Sequence, residues 1–70
     1  MTIVEITKEP VELYKILKFE GLVESGAMAK AVVADGQVQV NGEVEIQKRK
    51  KIVSGDVIKF ADETLEIKLA

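Results

Sequence analysis

Between Ser25 and Gly42 the chain reads S-G-A-M-A-K-A-V-V-A-D-G-Q-V-Q-V-N-G, and its apolar positions change period midway. Ala29, Val32 and Val33 stand at i, i+3 and i+4, one stripe of a helix facing a core. Val38 and Val40 then alternate with Gln37 and Gln39, the period of a half-buried strand. Ser25 predicts the helix start, because its hydroxyl can accept from a first-turn amide. Gly36 predicts the stop, since it enters the left-handed conformation without steric cost. Asn41-Gly42 tolerates the positive φ of a tight hairpin turn.

The same logic extends to both sides. Thr2 to Thr7 is β-branched and predicts a short strand at a sheet edge. Pro10 suits the first turn of a helix running to about Glu20 and ending at Gly21, with Leu13, Ile16 and Leu17 as its stripe. Leu22 and Val23 form a short apolar connection, so the two helices should pack antiparallel. Tyr14 and Phe19 flank the stripe, and Phe19 is expected to pack. A strict two-residue loop at Asn41-Gly42 would put Val44 and Ile46 on the face opposite Val38. A three-residue loop or a bulge at Gly42 would unite all three, and is the expectation. Ile52-Val53, Val57–Phe60 and Thr64–Leu69 predict further strands, separated by turns at Ser54-Gly55-Asp56 and Ala61-Asp62-Glu63. The expected fold is α+β, two helices packed on a small, mainly antiparallel sheet of 4–5 strands, in one domain spanning 1–70.

Composition narrows the chemistry. The 70 residues contain no cysteine and no histidine, which removes thiolate chemistry, disulfides, the usual general base and the commonest metal ligand. The acids are scattered without catalytic or metal-ligand spacing, so neither an enzyme nor a cofactor is expected. No apolar run approaches the ~20 residues of a membrane span, and no basic-then-apolar leader pattern opens the chain. A cytoplasmic monomer is the expectation. The net charge is −2, but its distribution is uneven: Lys48-Arg49-Lys50-Lys51 places four cations in succession on an otherwise acidic chain. Four adjacent cations repel one another and favour a loop or bent strand that fans them outward.

The central stretch resembles the RNA-binding domain named after ribosomal small-subunit protein four, the alpha-L motif, with the pattern S-R-x-x-A-x-x-L-I-x-x-G-x-V-x-V-N-G. Ser25, Ala29, Val32, Val33, Gly36, Val38, Val40, Asn41 and Gly42 match it, and Gly55-Asp56 matches the G-D before the family's last strand. The likeness covers about residues 13–60. Gly26 stands where the family usually places arginine. That variant, with a K-R-K run downstream, is similar to the small stand-alone bacterial members called YbcJ-like.

The resemblance implies a noncatalytic RNA-binding domain. Lys48, Arg49, Lys50 and Lys51 would supply mobile cations, with Lys18 and Lys30 adding charge from the helices. Ser25 and the amides at Gly26 and Ala27 would offer a helix N-terminus to a phosphate. The tetrabasic run and that helix start are expected to converge. Few aromatics are available for stacking, so shape and backbone readout of a structured RNA, ribosomal or transfer RNA among the candidates, is expected over base reading of a single strand. An alternative is a ubiquitin-like carrier or protein-interaction domain, since V-N-G followed by G-D-V-I-K-F also resembles the sulfur carriers. Those end in Gly-Gly, whereas this chain ends Lys68-Leu69-Ala70.

Overall fold

The computed structural model describes all 70 residues. In chain order it contains β1 (Thr2–Ile6), β2 (Val11–Glu12), α1 (Leu13–Phe19), α2 (Gly26–Ala34), β3 (Val38–Val40), β4 (Glu43–Val44), β5 (Lys51–Ile52), β6 (Val57–Phe60) and β7 (Glu63–Leu69). Five strands form one sheet in the order β1-β7-β6-β3-β4, while β2 and β5 form a separate two-stranded ladder. Only β1 with β7 is parallel; the other pairs are antiparallel. The expected α+β architecture is therefore present, with β1 as the edge strand.

Fifteen residues are buried and all are aliphatic. Val4, Ile6, Val38, Val40, Ile58, Leu65 and Ile67 come from the sheet, and Leu13, Ile16, Leu17, Ala29, Val32 and Val33 from the two helical stripes. Val23 lies buried and Leu22 half-buried between the helices. Both helices end in the same way. The Gly36 and Gln37 amides donate to Val33 O and Val32 O, and the Gly21 and Leu22 amides to Lys18 O and Leu17 O. This is the paired closure that a left-handed residue permits, and φ is +81° at Gly36 and +73° at Gly21.

Three expectations are corrected. The first helix opens at Leu13 instead of near Pro10, because Val11 and Glu12 pair with Ile52 and Lys51 as a ladder. The hairpin is a strict two-residue loop: Val40 faces Glu43, and φ is positive at both Asn41 and Gly42. Val44 and Ile46 do not join the core, and both stay exposed. The sheet face is already filled by the helical stripes, and β4 is a two-residue edge strand. Phe19, expected to pack, is 73% exposed.

Asn41 and Asp56, the residues of the V-N-G and G-D strings, hold the two turns together. Asn41 Nδ2 donates to Asp56 Oδ1 at 3.0 Å, the Val57 amide donates to Asn41 Oδ1 at 2.9 Å, and the Val53 amide donates to Asp56 Oδ2 at 3.0 Å. Asn41→Ala removes two of these bonds and leaves a Cβ residue without local compensation at φ +54°. It is expected to destabilise the protein by about 1–3 kcal/mol, read as a lower urea midpoint with an unchanged slope.

Candidate nucleic-acid interface

The second helix begins as its sequence dictates. Ser25 has extended torsions, and its Oγ accepts from the Met28 amide at 3.1 Å. The amides of Gly26 and Ala27 have no acceptor within the protein, and no acid occupies the first turn. The positive end of the helix therefore faces outward unneutralised. Ser25 still has its hydroxyl proton to donate.

Lys18 lies beside this end: a Cβ built on Gly26 would sit 4.0 Å from Lys18 Cδ. One turn further on, Lys30 Nζ stands 4.7 Å from the centre of the Tyr14 ring. These two contacts, 18 with 26 and 14 with 30, step four residues in opposite senses along α1 and α2, the register of antiparallel helices. Four residues of helix advance about 6 Å, so Lys18 and Lys30 follow one another along the seam.

The basic run reaches the same seam through its main chain. Glu12 provides no side-chain cap for α1. Instead the Leu13 amide donates to Lys50 O at 2.9 Å and the Tyr14 amide to Lys48 O at 3.1 Å. Lys48 and Arg49 form a turn closed by the Lys50 amide on Gln47 O. With carbonyls turned toward α1, the loop leaves its side chains outward, and all four are exposed. Lys48, Arg49, Gln47 and Lys30 line a recess of about 350 Å³.

The structure thus brings Lys30 to Lys48 and Arg49, and Lys18 to Gly26 and Ser25, as two adjoining groups. Lys50 and Lys51 do not line the recess; Lys51 opens β5 opposite Glu12. Lys18, Lys30, Lys48, Lys50 and Lys51 have no carboxylate within 4.0 Å, whereas Arg49 and Lys15 both pair with Glu12. The sequence reading missed Tyr14, which supports Lys30, and Glu12, the carboxylate paired with Arg49 and Lys15. An i, i+3 spacing hints at Glu12 with Lys15, but nothing local links Glu12 to Arg49.

Such an arrangement presents fixed amides and unpaired ammonium groups along one seam. An anion could be held there by amide and ammonium donors together.

Comparison with known proteins agrees in extent with this frame. YbcJ of Escherichia coli (strain K12) is 47% identical over 68 residues, covering 96% of this chain and 97% of that protein. A Bacillus subtilis (strain 168) protein, the probable ribosome maturation protein RlbA, is 32% identical over 57 residues, covering 81% of this chain and 80% of its own length. The solution structure of Escherichia coli YbcJ, described as revealing an alpha-L motif involved in RNA binding, superposes with a TM-score of 0.74. It is 45% identical and covers 97% of this chain and 87% of that one. The family model for the S4 domain matches residues 4–68, and this chain belongs to the S4 domain family.

Proposed function

We propose that this chain is a noncatalytic, cytoplasmic RNA-binding protein that recognises structured RNA through its phosphates. RNA binding is supported by membership of the S4 domain family and by the kinship with YbcJ. The phosphate mode rests on one observation: five cations without an acidic partner, Lys18, Lys30, Lys48, Lys50 and Lys51, lie on the two helices or on the segment bonded to the start of α1, on a chain of net charge −2. Unpaired ammonium groups on an acidic body make a local binding site without general affinity for polyanions. The Ser25–Gly26 helix start completes the surface, and Arg49 is paired with Glu12.

The test is a salt series. A labelled RNA hairpin, a single strand of equal length and a DNA duplex are titrated between 50 and 300 mM monovalent salt. Four to six phosphate contacts give a log–log slope of roughly −3 to −5, with the hairpin bound most tightly. A slope near zero, or preference for the single strand, would remove the reading.

Gly26 provides a second check. Its φ is ordinary and the added Cβ meets only Lys18 Cδ at 4.0 Å, so a side chain fits. Gly26→Arg restores the cation usual in the family at the open helix end. One further phosphate contact is expected to steepen the slope by about 0.7–0.9 and to tighten hairpin binding about fivefold near 0.15 M salt.

No observation favours the carrier alternative. Leu69 ends a sheet strand, and the Ala70 amide donates to Ile6 O at 2.8 Å, so these residues form no flexible tail.

A further inference from the structure

Twelve acids and ten bases share this chain, yet only two ion pairs form, and both converge on Glu12. Its Oε1 lies 3.2 Å from Lys15 Nζ and its Oε2 3.7 Å from Arg49 Nε. The Glu12 side chain is 31% exposed, less than Lys15 at 47% or Arg49 at 70%. Its backbone is fixed on both sides. Glu12 pairs with Lys51 in the β2–β5 ladder, and the next two amides are bound to the carbonyls of Lys50 and Lys48. The carboxylate is therefore the anchored member of the trio, and the two long cationic side chains reach toward it.

We propose that Glu12 is a selectivity residue of the RNA surface. It keeps Arg49 and Lys15 engaged with the protein and leaves the strong phosphate contacts to the unpaired Lys18, Lys30, Lys48, Lys50 and Lys51. The inference rests on the RNA reading above. A phosphate arriving at Arg49 replaces one anion by another and faces the charge of the carboxylate it displaces. At Lys30 or Lys48 it displaces only water and counterions, which is the favourable exchange. Without ligand, the same carboxylate offsets the mutual repulsion of four consecutive cations.

A purely supporting role predicts the opposite sign. If Glu12 oriented Arg49 toward RNA, removing the charge would weaken binding. Glu12→Gln keeps the shape and removes the charge. Its affinity is measured for the RNA hairpin and for inorganic tripolyphosphate, across a salt series, beside Arg49→Gln and the double variant. Expected is hairpin binding about two- to tenfold tighter at low salt, the range that two freed surface pairs supply, with a slope steeper by about one to two contacts. Arg49→Gln alone should change affinity less than about twofold, and in the Glu12→Gln background it should reverse most of the gain. Hairpin affinity unchanged or weakened by Glu12→Gln overturns the inference. A parent that binds tripolyphosphate but not RNA removes the RNA reading alone. Glu12 is then judged on tripolyphosphate, where a gain supports the masking role and its absence overturns it.

Discussion

Replacing Lys48, Arg49, Lys50 and Lys51 together by glutamine is expected to weaken binding of an RNA hairpin about a hundredfold near 0.15 M salt. The size follows from counterion release. With Arg49 held by Glu12, three cations are lost to the ligand, each contributing ~0.7–0.9 to the slope. Over the factor of about seven between 0.15 M and a 1 M reference, they remove roughly two logarithmic units. The variant also changes the net charge from −2 to −6, so a control is required. Lys8, Lys59 and Lys68 lie outside the seam; Lys59 and Lys68 alternate with buried Ile58 and Ile67 on the open face of the sheet. Changing those three to glutamine gives −5 and is expected to weaken binding less than tenfold. Equal losses in the two variants, read by anisotropy, would assign the effect to overall charge and remove the local site. Thermal unfolding of the tetrabasic variant should stay within a few degrees of the parent, because the loop is anchored by main-chain carbonyls.

The largest effect on stability is expected at Ile52. It is fully buried, lies directly after the basic run and faces Val11 across the β2–β5 ladder. Ile52→Ala removes buried methyl groups and leaves a cavity, at a cost of about 2–5 kcal/mol. A 70-residue domain has only about 4–10 kcal/mol in total, so the variant should be partly unfolded at 37 °C and show a sharply lower urea midpoint. Because the ladder holds the loop against α1, amide exchange at Leu13 and Tyr14 should accelerate even at temperatures where the rest remains folded. An exchange rate unchanged at those two positions would show that the loop is held by something other than the ladder.

What was legible in the sequence was local. Ser25 caps its helix through an oxygen three residues from the amide it accepts from, and Gly21 and Gly36 close helices because only a left-handed residue brings the last carbonyls their partners. The stripes Leu13-Ile16-Leu17 and Ala29-Val32-Val33 are buried as their spacing requires. The errors arose where distant residues decide. Val11 and Glu12 look like a first helical turn until Lys51 and Ile52 pair with them across the chain. Val44, Ile46 and Phe19 are apolar, yet two helices and a sheet face already fill so small a core. In the candidate site the cations were visible as residue types. Their neighbours were not: Tyr14 under Lys30 and Glu12 beside Arg49 are relations between residues 16 and 37 positions apart.

Helix α1 is capped by carbonyls of Lys48 and Lys50, and every peptide unit has a carbonyl whatever side chain it bears. The contour of this segment is thus indifferent to its spelling. Acidic, neutral or aromatic residues could be written into positions 48–50 while the scaffold stayed in place. The segment behaves as an exchangeable cassette, through which ligand preference can drift, or be redesigned, independently of folding.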